Sequence, residues 1–116
     1  MQYTGIMHFL LFTLSVTPAL AQTPYPAKPV RLVVPYPPGG GNDTLARIFG
    51  QKLTESLGQQ IVVENRAGAG TTIGATFVAR STPDGYTLLL SSIATHAFSP
   101  HLYAKPGYDA LRDSPR

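Results

Sequence analysis

Two glycine-rich corners hold the residues of this chain that are best suited to binding chemistry. The first spans residues 37–43 and reads Pro-Pro-Gly-Gly-Gly-Asn-Asp, and the second spans residues 68–72 and reads Gly-Ala-Gly-Thr-Thr. Each lies where a helix is predicted to begin, and a helix N-terminus offers unpaired amides and a partial positive charge. Hydroxyl groups stand nearby at Thr71, Thr72, Ser91, Ser92 and Thr95. The corners predict a site for a small carboxylate or phosphate, unless the glycines only form tight strand-to-helix turns.

Neither corner carries a nucleotide-binding motif. The first has no Gly-x-x-x-x-Gly-Lys, so it is not a P-loop. The second, with Gly68, Gly70 and Gly74, overlaps some dinucleotide sites, but it follows the second predicted strand and lacks an acidic residue at the expected place. Asp43 is interpreted as a helix N-cap in preference to a catalytic carboxylate.

Groups suited to catalysis or metal binding are sparse. No Gly-x-Ser-x-Gly elbow surrounds Ser91 or Ser92. His96 and His101 lie in a loop that contains proline, without a carboxylate at ligand spacing, so a surface or packing role is expected there. The chain has no cysteine, which excludes disulfides, thiolate metal ligands and cysteine nucleophiles. With no nucleophile–base pair evident, the sequence predicts no enzyme, no metal and no cofactor.

The charges argue against nucleic-acid binding. Nine Lys and Arg against six Asp and Glu give a net charge of +3, and the basic residues never form a run. Nucleic-acid binding usually needs a clustered basic stripe that neutralises several phosphates. Charged residues make up only 13% of the chain, whereas 43% are hydrophobic, which is enough to bury a core.

The first two elements can be placed from local patterns. A β-branched run predicts a strand at Val30–Val34, ended by proline. A helix is predicted from Thr44, after Asn42 and Asp43 as N-caps, and Gly58 stands at its C-terminal stop. The apolar residues with helical spacing are Leu45, Ile48, Phe49, Leu53 and Leu57.

The alternation of strand and helix then continues. Further elements are predicted at residues 61–63 (strand, closed by 64–66), 73–81 (helix) and 86–90 (strand). Pro83 and Gly85 mark the turn before the last strand, and residues 91–103 fit either a loop or one helical turn. This βαβαβ order predicts an α/β fold with a parallel sheet. Since ligands bind beyond the carboxyl ends of such strands, both glycine corners and the Ser91–Ser92 segment are expected to converge at one edge.

The N-terminus has the layout of a secretory signal peptide. An apolar run that begins at Phe9 is much shorter than the ~20 residues that span a bilayer. Pro18 breaks the run, and Ala19–Ala21 matches a small-x-small cleavage site, although the first eight residues carry no Lys or Arg. A signal peptide over residues 1–21, an extended lead-in over residues 22–29 and a periplasmic location are therefore predicted, with a buried strand or helix as the alternative.

Three segments carry a family resemblance: residues 25–43, which begin Tyr-Pro-Ala-Lys-Pro-Val-Arg, residues 62–75, which begin Val-Val-Glu-Asn-Arg-Ala-Gly-Ala-Gly, and residues 83–88, Pro-Asp-Gly-Tyr-Thr-Leu. In order and spacing they resemble the Bug-type proteins, the periplasmic substrate-binding components of tripartite tricarboxylate transporters. The resemblance implies that residues 30–116 form the N-terminal part of the first lobe of a type II periplasmic-binding-protein-like fold. It implies a monomer that binds a tricarboxylate, dicarboxylate or acidic amino acid and passes it to a membrane permease.

The resemblance also implies which residues hold the ligand carboxylate, partly through ordered water. They are Pro38, Gly39, Gly40, Asp43, Gly68, Gly70, Thr72, Ser92 and Thr95. Two positions depart from the family pattern: Thr71 replaces a common glycine, and Ser99 replaces a common asparagine before Pro100.

The family's chains are much longer than 116 residues, and Ser114-Pro115-Arg116 is unlike them. A truncated or frame-shifted product without the second lobe is therefore expected, with a sheet edge and a helix face left uncovered and marginal folding. Two alternatives stay open. The chain is then either a fragment of an exported α/β enzyme that handles an anionic substrate, or a non-functional remnant that binds nothing.

Overall fold

The computed structural model describes residues 23–113, which form a three-stranded parallel sheet. Its strands are β1 (Val30–Val34), β2 (Ile61–Asn65) and β3 (Thr87–Leu89). The central strand is β1, in the order β2-β1-β3, and its last residue, Val34, pairs with Asn65. The predicted α/β class with a parallel sheet is confirmed. The signal peptide predicted for residues 1–21 lies outside the described residues.

The helices of the described residues are α1 (Gly41–Leu57), α2 (Thr72–Ala79) and α3 (Ser99–Leu102), with a 3₁₀ turn at Ala69–Thr71 and a π-helical turn at Ala94–Phe98. Helices α1 and α2 connect the strands in turn, and α3 follows the last strand. Residues 91–103 thus contain two successive helical turns, more than the single turn considered from the sequence. No helix within the described part of the chain has the length and apolar character needed to cross a membrane.

The two longer helices cover opposite faces of the sheet. Ala46 of α1 belongs to the same buried cluster as Val30 and Leu32. On the other face, the Arg31 guanidinium lies 5.6 Å from the ring centroid of Phe77 in α2. Alternation along β1 explains this, because successive side chains of a strand point to opposite faces. Helices therefore cover both faces of β1, in which every residue except Arg31 is buried.

The start of α1 differs from the prediction. Gly40 is the N-cap and the helix begins at Gly41, so the N-cap role predicted for Asn42 or Asp43 is wrong. The backbone makes its turn earlier, at Gly39, where φ is +86°, a left-handed value that favours glycine. Asp43 consequently lies in the first helical turn, and its carboxylate accepts a hydrogen bond from the Gly39 N–H at 2.9 Å.

The face of α1 that packs on the sheet is built from small residues. Ala46 and Gly50 are buried, and a Cβ at Gly50 would lie only 3.3 Å from Cγ2 of Val63. Of the apolar stripe that predicts the helix, Leu53 packs against the core, whereas the exposed members are Leu45 (48%), Ile48 (54%), Phe49 (53%) and Leu57 (37%). The helix packs closely on the sheet through these small residues, and most of its large apolar side chains point away from the sheet.

The C-terminus of α1 follows its predicted signal, whereas α2 spans Thr72–Ala79 in place of the predicted 73–81. Gly58 ends α1 with φ +69°, and its N–H donates to the Thr54 carbonyl at 3.0 Å. Thr71 precedes α2 in the N-cap position, but its side chain does not cap the helix. Its hydroxyl instead lies 3.3 Å from the Ser99 hydroxyl, which connects the start of α2 to α3.

Candidate functional site

Three loops follow the strands at one edge of the sheet. We term them the first loop (residues 35–40, after β1), the second loop (66–71, after β2) and the third loop (90–93, after β3). The carboxyl ends of parallel strands meet at one edge, and ligands bind there where the strand order reverses. Here that reversal lies between β1 and β3. The predicted convergence of the two glycine corners and the serine segment is confirmed.

A hydrogen bond between hydroxyl groups joins the first loop to the third. The two partners are the Tyr36 phenol and the Ser92 side chain. Ser92 Oγ also accepts the Ala94 N–H at 3.2 Å, at the start of the π-helical turn. The Ser92 hydroxyl, predicted to contact ligand, is thus engaged in holding two loops together across the strand reversal.

The first loop is also tied to the end of β2. The Asn65 side-chain amide donates to the Tyr36 carbonyl at 3.1 Å and to Oδ1 of Asp43 at 2.9 Å. Asn65 therefore connects the last residue of β2 with the first loop and with α1. Because one amide donates to an acceptor near the start of the first loop and to another just after its end, it holds both ends of the loop in place.

The Asp43 carboxylate is buried and fully used. Besides Asn65 it accepts the Gly39 N–H at 2.9 Å and Nε of Arg47 at 3.1 Å. Chiefly the Gly39 hydrogen bond, and then those from Arg47 and Asn65, lower the pKa of Asp43 to about 2. The carboxylate is thus ionised at neutral pH, and it has no proton to share with an anion.

The backbone of the first loop is open. A Cβ at Gly39 or Gly41 would meet no atom within 4 Å, and one at Gly40 would meet only the Pro37 carbonyl at 3.9 Å. Pro38 is exposed beside them. Residues 37–41 are all exposed, so their main chain is accessible to a ligand.

The first turn of α1 contains backbone N–H groups without an acceptor in the helix. The earliest hydrogen bond of the helix runs from the Thr44 N–H to the Gly40 carbonyl at 3.0 Å. The N–H groups of Gly41, Asn42 and Asp43 therefore have no acceptor within the helix. Together with the helix dipole they provide a partial positive charge next to the open glycines.

The second loop differs, because its own chain occupies the space beside its glycines. A Cβ at Gly70 would lie 2.6 Å from the Tyr103 hydroxyl oxygen, and one at Gly68 would lie 2.5 Å from Cδ1 of Ile73. The Gly70 carbonyl accepts the hydroxyl of Ser99. These glycines, with φ +57° and +134°, allow a left-handed path and close packing. Side chains of the protein lie beside Gly68 and Gly70, so these two glycines lack the open surroundings of the first loop that would favour their predicted contact with ligand.

The start of α2 lies directly against the first loop. A Cβ at Gly74 would be 2.8 Å from Cβ of Pro35 and 2.9 Å from the Arg66 carbonyl oxygen. Thr72 is buried and its hydroxyl donates to the Ala69 carbonyl at 2.7 Å. The first turn of α2 therefore packs against the first residue of the first loop, although the Thr72 hydroxyl is already occupied.

Thr95 is the least satisfied polar residue of the third loop region. It is fully buried, and its hydroxyl has no hydrogen-bond partner among the described residues. It lies in the π-helical turn, a geometry that is frequent at functional sites. The Tyr108 hydroxyl donates to the Thr95 carbonyl, and burial raises the pKa of Tyr108.

One Ser–His contact was missed by the sequence analysis. Nε2 of His96 lies 2.7 Å from Oγ of Ser91, although no nucleophile–base pair is evident in the sequence. Both residues are exposed. Within residues 23–113 no carboxylate hydrogen-bonds to His96, and no three acidic or histidine side chains group to hold a metal ion. Within the described residues, Ser91 and His96 therefore lack the third partner that orients the histidine in a catalytic triad.

Comparisons with known proteins agree with this geometry. The sequence model of the tripartite tricarboxylate transporter family receptor matches residues 45–115. Protein BugT of Bordetella pertussis is 46% identical over 88 residues, which cover 76% of this chain and 27% of BugT.

Solved structures give the same result. The structure of the periplasmic binding protein BugD superposes with a TM-score of 0.70 at 45% identity, covering 77% of this chain and 29% of BugD. MatC from Rhodopseudomonas palustris, solved with bound malate, gives 0.73 at 40% identity, covering 77% and 30%. The chain thus spans less than a third of these proteins, and its sheet corresponds to a part of their periplasmic binding fold. The chain belongs to the tripartite tricarboxylate transporter receptor family.

Proposed function

We propose that this chain forms part of a periplasmic solute-binding protein for small carboxylates and has a binding role, with no catalytic one. The observation that carries the proposal is the open Gly39–Gly40 corner beside the unpaired amides that begin α1. The malate bound in MatC, a relative of 40% identity, supports the substrate class. Tripartite transport with a membrane permease, and export through a signal peptide over residues 1–21, follow from the same family membership and are part of the proposal.

In this proposal the ligand's negative charge is met by main-chain N–H groups. The nearby cation, Arg47, already pairs with the Asp43 carboxylate at 3.1 Å. The Asp43 carboxylate would repel a ligand carboxylate, unless the ligand lay on the side of the corner where backbone N–H groups are exposed. We call this the amide side. Gly40, Gly41 and Asn42 provide that side, because hydrogen bonds from N–H groups at a helix N-terminus favour anions.

The remaining predicted site residues divide between contact and support. Pro38, Gly39 and Gly40, which are exposed, are proposed to face the ligand. Thr95 is fully buried, so its hydroxyl is not proposed to contact the ligand. Asp43, Thr72 and Ser92 are proposed to act as supports, since their oxygens are occupied by the hydrogen bonds described above. Gly68 and Gly70 are proposed to shape the second loop.

The test is an amide NMR titration of the purified full chain with malate. We expect the signals of Gly40, Gly41 and Asn42 to shift, with a dissociation constant of about 1 mM or weaker, because a few amides contribute little binding energy alone. Malamide, the neutral diamide of malate, is the matched control and should leave these signals in place. Equal shifts with both compounds, or shifts confined to other regions, would contradict the proposal.

A further inference from the structure

Four basic side chains that are far apart in the sequence line one groove on the α2 side of the sheet. The groove has a volume of about 1030 Å³, and its cations are Lys28, Arg31, Arg80 and Lys105. They are four of the nine basic residues of the chain. The basic residues form no run in the sequence, but folding brings these four positions to one groove. We term this feature the basic groove.

Each cation is placed by a different element. Arg31 belongs to β1, and Arg80 follows the last residue of α2. Lys28 stands in the extended lead-in, where the Ala27 N–H donates to the Tyr86 hydroxyl at 2.8 Å, and its Nζ lies 4.5 Å from the centroid of the Tyr86 ring. Convergence from separate elements shows that the groove is a product of tertiary structure.

Lys105 is held by a specific turn. The Thr76 hydroxyl donates to the Pro106 carbonyl at 2.8 Å, which fixes the segment against α2. Gly107 has φ +80°, and a Cβ there would lie 2.7 Å from the Thr76 hydroxyl oxygen. The glycine therefore permits the close contact that brings Lys105 to the rim of the groove.

The positive charge of the groove is only partly compensated. Arg31 pairs with Glu64 at 3.1 Å, but Glu64 also pairs with Arg66 at 2.5 Å. Asp84 lines the groove and accepts the Tyr86 N–H at 3.0 Å. Within residues 23–113, Lys28, Arg80 and Lys105 form no ion pair. Three uncompensated cations thus line the groove together with the aromatic rings of Phe77 and Tyr86.

We propose that the basic groove docks an acidic segment of a partner protein. Charge complementarity steers the encounter, and the aromatic rings supply apolar contact to the side chains between the acidic residues. The groove includes none of the residues proposed to face the carboxylate (Pro38, Gly39 and Gly40), although Thr72, a supporting residue of that site, also lines it.

The test measures binding of a fluorescent, glutamate-rich peptide to the full chain by anisotropy at low salt. The variant R80E/K105E should weaken binding by about tenfold, because attraction at two sites becomes repulsion. The matched control K52E/R112E changes the net charge equally at two exposed sites outside the groove and should weaken binding by less than about twofold.

Several results would overturn the proposal. Equal weakening by both variants would mean that only net charge matters, and no binding of the peptide at low salt would remove its basis. Tighter binding of anionic vesicles or duplex DNA than of the peptide would assign the groove to another partner class. Circular dichroism checks that both variants fold, and peptide-induced shifts of the Thr76, Phe77 and Arg80 amides of the unaltered chain give a readout that needs no variant.

Discussion

Asn65 and Asp43 are joined by a hydrogen bond of 2.9 Å, from the side-chain amide at the end of β2 to the carboxylate in the first turn of α1. The same amide donates to the Tyr36 carbonyl, and the same carboxylate accepts the Gly39 N–H. Two side chains separated by 22 positions thus hold both ends of the first loop. We infer that this pair, more than the glycines alone, fixes the open corner in one conformation.

Replacing Asn65 by Ala should destabilise the fold and loosen the first loop. The variant loses a long, exposed hydrogen bond from Arg47 at 3.5 Å and the two that the Asn65 amide donates. Each of the two donated bonds contributes about 0.5–1.5 kcal/mol net, so the free energy of unfolding should fall by about 1–3 kcal/mol. Urea denaturation measures this, and hydrogen exchange of the Gly39 amide should accelerate. Gln51→Ala, which removes an exposed contact to Glu55, is the control and should change stability by less than about 0.5 kcal/mol. An unchanged Gly39 exchange rate in N65A would contradict the role of the pair.

The contribution of Asp43 should disappear on acidification. Its pKa in the folded chain, about 2, lies below the ordinary value of 3.8, so the unfolded chain binds the proton first as the pH falls. The stabilisation is therefore complete above about pH 5 and is lost progressively towards pH 2. Urea midpoints of the unaltered chain and D43N should converge over this range. A difference that stays constant with pH would show that the charge of Asp43 is not what stabilises the loop.

Asp109 makes a smaller contribution to stability that is also lost in acid, and the comparison of the unaltered chain with D43N must separate it from that of Asp43. Hydrogen bonds from the backbone N–H groups of Arg112 and Leu111 lower the pKa of Asp109. Its stabilisation has the same sign and is also lost as the pH falls. D43N should therefore retain some pH dependence, and the double variant D43N/D109N should have a flatter profile than D43N.

The hydroxyl pair of Tyr36 and Ser92 should behave as a coupled unit. In a double-mutant cycle of Y36F and S92A, we expect a coupling energy of about 0.5–1.5 kcal/mol, since each single variant already breaks the same hydrogen bond. Tyr25→Phe supplies the control, because its hydroxyl donates to the Gly85 carbonyl at a different place. The Y25F and S92A effects should be additive, and coupling of equal size in both cycles would contradict a specific link between the loops.

The strands and the edge where the loops meet could be predicted from the sequence because these features depend on local patterns. The β-branched run at Val30–Val34 and the turn signals before β3 needed no tertiary information. Parallel pairing then followed from the helical connections. Tyr36 and Asn65 were missed as site residues, although a usable signal existed: both are polar groups at or just after the carboxyl end of a strand.

Other features depend on packing that no local pattern encodes. The first turn of α1 begins before the side chains that look like caps, because positive φ at Gly39 redirects the chain. The role of Gly70 depends on Tyr103, which is 33 positions away and belongs to a segment whose structure was undetermined from the sequence. The basic groove likewise depends on Lys28 and Lys105 meeting through the fold.

Gly70→Ala should destabilise the chain through a steric conflict and a strained backbone. A Cβ there would lie 2.6 Å from the Tyr103 hydroxyl oxygen at φ +57°, which costs about 1–3 kcal/mol. The double variant G70A/Y103A should recover part of that loss relative to Y103A alone, because the ring is gone and only the backbone strain remains. Thermal unfolding of the four chains measures this, and an equal loss in both backgrounds would mean that Tyr103 does not set the need for glycine.

The packed and exposed positions of α1 should differ in how strongly a substitution lowers stability. Gly50→Val places branched carbons where even a Cβ would lie 3.3 Å from Val63, so overpacking should lower the free energy of unfolding by about 1–3 kcal/mol. Phe49→Lys, one residue away, changes a side chain that is 53% exposed and should alter stability by less than about 0.5 kcal/mol. It should also reduce self-association, because it interrupts the exposed apolar stripe. Urea denaturation and light scattering test both outcomes, and a large loss of stability in F49K would show that the stripe is covered when the chain is in solution.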